Sequence, residues 1–174
     1  GLRYDHNSAH GSILTPRVSW KWAEDAQHIL RLTAGSGYRV ANIFTEDHAA
    51  LTGAREVVIA EDLQPERSWN TNLNYVRKFF PKRAGFIGLD ASAFFTYFSN
   101  QIIPDYDTNP DQIIYANLDG HAVSSGLSLN LDFNFLSGLK IIAGATAMRV
   151  YRVEDGERLP QLFAPALSGT WAVT

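Results

Sequence analysis

Cysteine is absent from this chain of 174 residues, and methionine occurs only once. The lack of cysteine excludes a disulfide scaffold and any chemistry that depends on a thiolate. Long apolar runs are lacking too, since none approaches the roughly 18 residues of a membrane-spanning helix. The richest apolar window, Leu139 to Val150, is interrupted by Lys140, Thr146 and Arg149. We therefore expect no transmembrane helix in this chain.

Charge is sparse and almost balanced. Only 19% of the residues are charged, against 45% hydrophobic, and the net charge is -3. A nucleic-acid partner is not expected, because such binders concentrate lysine and arginine. The length and composition indicate one folded domain. No Gly-x-Ser-x-Gly elbow is present, and no third glycine completes a phosphate cradle after Gly35–Gly37, so neither an enzyme nor a cofactor is indicated.

The clearest pattern in the sequence is the unbroken alternation from Ser125 to Phe135, which reads SGLSLNLDFNF. Successive side chains of a β-strand point to opposite faces. The leucines and phenylalanines would share one face, and the serine, asparagine and aspartate residues the other. Such a strand separates an apolar medium from a polar one.

Similar alternation predicts an all-β fold of about eight antiparallel up-and-down strands. The predicted strands cover about residues 2–5, 13–22, 28–39, 68–79, 85–100, 112–135, 139–153 and 163–173. Several reach a dozen residues, whereas strands of soluble sheets usually have about five or six. A tilted strand needs about 9 to 11 residues to cross a bilayer. The strand lengths therefore favour a transmembrane β-barrel.

The connections and the aromatic residues favour the same fold. Short turns are predicted on one side, and longer polar loops on the other, as in outer-membrane barrels. The predicted long loops are His6–Gly11, Val40–Arg67, Pro104–Asp111 and Glu154–Gln161. Aromatic residues predicted near the short turns are Trp20, Trp22, Tyr75, Phe79, Phe133 and Phe135. Those predicted near the long loops are Tyr38, Tyr97, Phe98, Tyr115 and Tyr151, so that the two groups form the belts typical of membrane interfaces.

The alternative is a soluble β-barrel or sandwich that binds a small apolar ligand inside, because its strands also alternate. The direction of the side chains separates the two hypotheses. In a membrane barrel Leu89, Leu127 and Leu129 face outward, and Asp90 and Asn130 face inward. In the soluble module the arrangement is reversed.

Several segments together resemble TonB-dependent outer-membrane receptors. Arg31–Glu46, RLTAGSGYRVANIFTE, is similar to the family pattern R-x-S-x-G-x-G-[FY]-R-x-P-x-x-x-E, and Leu63–Asn70, LQPERSWN, to the element L-x-P-E-x-S-x-N. Gly1–Asp5, Thr15–Arg17 and Phe94–Phe98 resemble other strands of that barrel in the family's order. The segment Ala41–Glu46 is similar to versions in Bacteroidetes-type receptors, with Ala41 in place of the usual proline.

The resemblance implies that residues 1–174 are a fragment from the middle of the receptor β-barrel, without its plug domain and TonB box. It implies a location in the outer membrane, contact with lipid, and uptake energised by TonB through the plug. The transported ligand would be a ferric siderophore, haem, cobalamin or an oligosaccharide, and no catalysis is implied.

The long loops are the expected place of ligand contact. Candidates there are Glu46, His48, Arg55, Tyr106 and Asp107. The alternating acidic and amide residues of Asp105–Asp111 are reminiscent of a calcium loop, but Pro110 stands where such a loop needs glycine. We therefore predict a solvated loop there and no metal site. On the polar face, Arg17, Arg31, Asp90 and Asp132 are predicted to line the lumen, either to steer a charged ligand or to hydrate the interior.

Overall fold

The fold is all-β, as predicted. A computed structural model describes residues 1–40, 55–82, 85–154, 156–161 and 164–174, and these contain no helix that could cross a membrane. The described residues form twelve strands. They are β1 (Leu2–Asn7), β2 (Gly11–Ala23), β3 (His28–Arg39), β4 (Glu56–Ile59), β5 (Glu66–Phe79), β6 (Phe86–Asn100), β7 (Ile102–Asp105), β8 (Gln112–Asn117), β9 (Gly120–Asn134), β10 (Lys140–Glu154), β11 (Glu157–Pro160) and β12 (Leu167–Val173).

Nine of the strands form one antiparallel sheet, which we call the wall sheet. Its order is β1-β2-β3-β5-β6-β9-β10-β11, and β12 pairs with β10 beside β11. Because β11 and β12 follow one another along the same edge of β10, the wall sheet has eight strand positions. This agrees with the prediction of about eight antiparallel strands.

Residues within two of the tight turns of the wall sheet stabilise the turn conformation. Between β2 and β3, the Asp25 carboxylate accepts hydrogen bonds from the backbone N–H groups of Gln27 and His28, at 2.6 and 2.7 Å. Between β9 and β10, Gly138 has a φ of 91°, which glycine adopts without strain. The connections β2–β3, β5–β6 and β9–β10 are all short. Because the strands of the wall sheet run antiparallel, these three connections lie at the same end of the sheet, which we call the short-turn end.

A second sheet, which we call the loop sheet, is made from the long connections at the other end. It has the order β4-β8-β7, in which β4 runs parallel to β8 and β7 antiparallel to it. Ile113 is fully buried and Tyr115 nearly so, and Val57, Leu63 and Ile102 pack against them. The loop sheet therefore has a small hydrophobic core of its own.

Polar side chains join the loop sheet to the wall sheet. The buried carboxylate of Glu66, at the start of β5, accepts a hydrogen bond from Arg39 Nε at 2.7 Å and another from the Ile102 backbone N–H at 3.1 Å. The Asn117 side chain accepts from the Gln64 N–H and donates to the Asp62 carbonyl. The amide of Asn100 donates to the carbonyls of Gln64 and Pro65.

Three sequence predictions about connections and strands were wrong. Residues 112–135 are not one strand, because β8 ends at Asn117 and belongs to the loop sheet, while β9 begins at Gly120. Two of the predicted long loops are shorter than expected: only residues 8–10 separate β1 from β2, and β11 occupies most of the predicted loop Glu154–Gln161. In the first, the Asn7 side chain accepts hydrogen bonds from Ala9 and His10, which closes the turn.

Candidate functional site

The wall sheet has one apolar and one polar face, as the alternation predicted. Registered neighbours on adjacent strands share a face, and Leu127 lies between Ala93 and Ala147 while Leu129 lies between Ala91 and Ala145. Leu127 is 64% exposed and Leu129 43% exposed. A soluble sandwich would bury these leucines in its core, and the described residues do not. A depression of about 450 Å³ on this face is lined chiefly by leucine and alanine side chains.

Hydrogen bonds link side chains across the polar face. Arg31 donates to the Asn74 side-chain oxygen at 3.1 Å, and the Asn74 amide donates to Asp90 at 2.7 Å and to Ser92 at 3.0 Å. Further along the same row, the Thr146 hydroxyl hydrogen-bonds the Ser128 hydroxyl at 3.0 Å. The structure thus brings Arg31 and Asp90, both predicted to line the lumen, to one polar network.

The aromatic residues at the ends of the wall sheet follow the predicted belts with two corrections. Trp69, Tyr97 and Tyr151 lie in one row of the apolar face toward the loop sheet, with Val123 between the two tyrosines. Tyr115 is not in this belt, because it is 4% exposed in the core of the loop sheet. Phe98 is not either, since it pairs with Ala122 on the polar face.

Three of the five predicted ligand-contact residues lie together at the loop sheet. Arg55 precedes β4, and its Nη1 donates to the backbone carbonyl of Tyr106 at 3.2 Å. Tyr106 is 42% exposed and Asp107 beside it is also exposed. A guanidinium has five N–H donors, and this hydrogen bond uses one of them. The guanidinium of Arg55 therefore lies against the backbone of the loop that carries the side chains of Tyr106 and Asp107, although 51 residues separate Arg55 from Tyr106.

The other two predicted ligand-contact residues, Glu46 and His48, lie outside the described residues. So does Ala41–Glu46, which carried the similarity to Bacteroidetes-type receptors, and that subfamily stays a prediction.

Asp105 holds the shape of the loop that follows β7. Its carboxylate accepts hydrogen bonds from the Thr108 hydroxyl and from the backbone N–H groups of Asp107 and Thr108. These bonds lower the pKa of Asp105 below its ordinary value of 3.8, the Thr108 hydroxyl contributing most. The carboxylate thus caps the turn. Within the described ranges, no group of three or more histidine, aspartate or glutamate side chains is placed to hold a metal ion.

Glu66, Asn100 and Asn117 were missed by the sequence reasoning, although they position the loop that carries Tyr106. Glu66 lies in the segment Leu63–Asn70, which resembled a family element, so its position was marked but its role was not. Nothing in the local sequence indicates that a glutamate at the start of a strand will accept a hydrogen bond from Ile102, 36 residues away.

A comparison with protein-family models decides the classification. The model of the TonB-dependent receptor-like β-barrel matches residues 1–174. The chain belongs to this family. The receptor family is one of outer-membrane β-barrels, so the wall sheet is a segment of a receptor barrel, and its antiparallel strands and lack of helix in the described part agree with that.

Solved structures of receptors show the same fold. The receptor segment is similar to the FrpB iron transporter from Neisseria meningitidis (F3-3 variant), with a TM-score of 0.68, 16% identity, and coverage of 94% of this chain and 24% of that one. It is also similar to the structure of the FpvAI–pyocin S2 complex, with a TM-score of 0.63, 14% identity, and coverage of 94% and 21%. The receptor segment therefore spans about a quarter of the length of these structures. No curated protein sequence matches it.

Proposed function

We propose that this chain forms part of the wall and of the outer loops of an outer-membrane receptor for TonB-energised uptake of a scarce ligand. The observation that carries the proposal is the division of the wall sheet into an exposed apolar face and a hydrogen-bonded polar face. In such a barrel the apolar face contacts the bilayer and the polar face lines the lumen. The chain would act by binding and by shaping a passage, without catalysis.

The loop sheet supports the second half of the proposal, which concerns ligand contact. Its core fixes the connections 55–65 and 101–119 as one unit at the end opposite the short turns. In outer-membrane barrels the longer connections face the outside. Arg55, Tyr106 and Asp107 would then meet a ligand before it enters the barrel, and Glu46 and His48 are proposed for the same role.

The chemistry of this cluster suits a polar ligand that carries oxygen atoms. A guanidinium binds carboxylates and other oxyanions in two-pronged geometry, a phenol stacks on rings and hydrogen-bonds, and a carboxylate accepts from hydroxyl groups. Ferric siderophores, haem, cobalamin and oligosaccharides all present such groups. The complete receptor would transmit energy from TonB through its plug domain.

Uptake by the full-length receptor tests the proposal. Cells that lack the receptor are compared with cells that express it, using a labelled ferric siderophore, haem, cobalamin and an oligosaccharide mixture. We expect receptor-dependent uptake of one of these classes, and its loss when the proton-motive force is collapsed. Accumulation that is the same with and without the receptor, or insensitive to the proton-motive force, would refute the transport function.

Two substitutions test the ligand cluster in the same cells. Arg55→Ala and Asp107→Ala are expected to raise the half-saturating ligand concentration, because each removes a charged group from the cluster. Asp111→Ala is the matched control, since Asp111 lies in the same connection and its backbone carbonyl, which the substitution keeps, accepts the hydrogen bond from the Glu56 N–H of β4. If all three variants take up the ligand like the wild type, these residues do not form the ligand site.

A further inference from the structure

The two outer edges of the loop sheet differ in the backbone groups that they offer. On the β7 edge, the outward N–H of Ile102 donates to the Glu66 carboxylate at 3.1 Å. Because directions alternate along a strand, the next outward position is Pro104, which has no N–H. An edge without free donors is a poor template for another strand, and a proline is one of the ways in which proteins protect an edge. The β7 edge is therefore closed.

The β4 edge is open among the described residues. The N–H groups of Glu56 and Ala60 donate to backbone carbonyls on the β8 side, at 2.9 and 3.0 Å. Because directions alternate along the parallel ladder, Val57 and Ile59 direct their N–H and C=O groups away from β8. No strand of the described part pairs with that side of β4. Such an edge is a template for an added strand.

The connections that form the loop sheet are strongly acidic. Residues 55–65 and 101–119 contain seven acidic residues and a single basic one, Arg55, which gives a net charge of -6, whereas the whole chain carries -3. The acidic residues are Glu56, Glu61, Asp62, Asp105, Asp107, Asp111 and Asp119. Glu61 and Asp62 follow β4 directly after Ala60, and both are exposed. The surroundings of the open edge therefore attract a basic partner and repel an acidic one.

We infer that the open edge of β4 binds an extended, basic segment of a partner polypeptide by strand addition. The backbone of the segment pairs with Val57 and Ile59, and its lysine or arginine side chains lie near Glu61 and Asp62. The main-chain hydrogen bonds supply affinity, and the acidic surroundings select the charge of the segment. The inference goes beyond the proposed function and takes from it only that the loop sheet faces the outside, from which the partner would come.

Hydrogen exchange with residue resolution in the full-length receptor is the first test. In the free receptor the amides of Val57 and Ile59 should exchange fast, while the amide of Val58, which points to β8, should exchange slowly. Equal protection of all three amides would show that the receptor itself already occupies this edge, and would overturn the inference.

The binding probe is a synthetic peptide of about eight residues, an ordinary strand length, that alternates lysine and threonine. Its binding should slow exchange at Val57 and Ile59. A peptide of the same sequence with every backbone nitrogen methylated has no N–H donors, and it should bind at least about tenfold more weakly. A peptide that alternates glutamate and threonine should not bind. Equal binding of the methylated and unmethylated peptides would mean that charge alone attracts them, and strand addition would be refuted.

A proline in the receptor tests the edge from the other side. Ile59→Pro removes an outward N–H and should weaken binding of the lysine–threonine peptide by about fivefold or more. Ile59→Thr keeps the N–H and is the matched control. Unchanged exchange protection at Ile113 shows that the loop sheet of the variant is intact. If Ile59→Pro binds the peptide like the wild type, β4 does not accept the strand.

Two further substitutions test the choice of a basic partner. Glu61→Gln and Asp62→Asn keep side-chain oxygens that accept hydrogen bonds but remove one charge each, so each should weaken binding by about two- to fivefold. Glu157→Gln, an exposed acidic residue of β11, is the control and should bind like the wild type. Equal weakening in all three variants would contradict a local role of the acidic residues beside β4. Uptake in cells reports on the proposed function separately, so normal uptake without peptide binding would refute this inference alone.

Discussion

The wall sheet and the loop sheet are built from the same element, the β-strand, but they place their apolar side chains in different surroundings. In the loop sheet, Ile113 and Tyr115 are buried by Val57, Leu63 and Ile102, as in a soluble protein. In the wall sheet, Leu127, Leu129 and Trp171 are exposed, and the described strands bury no comparable cluster between them. The loop sheet therefore carries its own hydrophobic stabilisation, whereas the wall sheet depends on an apolar environment outside the chain.

The loop sheet is also a folded unit rather than a set of independent connections. Residues 55–65 and 101–119 connect strands of the wall sheet, yet they share a hydrophobic core and the parallel strand pair β4–β8. Glu66 then fixes this unit to the wall sheet through Arg39 and Ile102. The pairing of β4 with β8 therefore keeps Arg55 beside the backbone of Tyr106.

The largest expected effect comes from truncating the centre of the loop sheet. Ile113→Ala removes a side chain with no exposed surface and leaves a cavity, which destabilises by about 2–5 kcal/mol. Hydrogen exchange in the full-length receptor should then accelerate at β4, β7 and β8 but not at β6 or β9. Ile59→Ala, on β4 but 49% exposed, is the control and should change exchange little. Faster exchange throughout the wall sheet as well would show that the core of the loop sheet does not stabilise that sheet separately from the wall sheet.

A charge on the apolar face of the wall sheet is expected to have the next largest effect. Leu129→Arg would place a guanidinium in the middle of the face, at a cost of about 2–4 kcal/mol if that face meets the bilayer core. Asn130→Arg, one residue further on the polar face, is the control and should cost much less. Folding into lipid vesicles against urea gives both free energies. Equal costs for the two variants would contradict the assignment of the faces.

The link between the two sheets should have a smaller effect. Glu66→Ala leaves the partly buried N–H of Ile102 without its acceptor, at a cost of about 1–3 kcal/mol. We expect the amide of Ile102 and its β7 neighbours to exchange faster, while Ile113 in the core keeps most of its protection. Glu157→Ala, an exposed glutamate of β11, serves as the comparison. An equal loss of exchange protection at Ile113 and at Ile102 would mean that the loop sheet is not stable without its link to the wall sheet.

The wall sheet could be predicted from the sequence because its pattern is local. Alternation of side chains gave β3 with its observed bounds, and β2, β5, β6 and β10 within two residues at each end. Alternation does not tell which sheet a strand joins. Residues 112–117 alternate like their successors, but β8 pairs with β4, 56 residues earlier, and the chain changes sheet at Leu118 and Asp119.

The candidate site was predictable only in part, for the same reason. Arg55, Tyr106 and Asp107 were chosen because they lie in long polar connections, and the structure places them together. Their proximity depends on the parallel pairing of β4 with β8, which short-range patterns do not encode. The turn after Asn7 was mistaken for a longer loop, and β11 was missed, because both segments are rich in polar residues, which occur at strand ends as well as in loops.

Site-directed spin labelling of the full-length receptor in lipid tests the central claim most directly. Labels at Leu129, Leu131, Asn130 and Asp132 are compared for collision with oxygen, which partitions into the bilayer, and with a water-soluble nickel complex. We predict oxygen-favoured labels at the two leucines and nickel-favoured labels at Asn130 and Asp132. Leucine labels shielded from both reagents, with Asn130 and Asp132 exposed to nickel, would mean that the apolar face is a protein core, and would contradict the receptor wall.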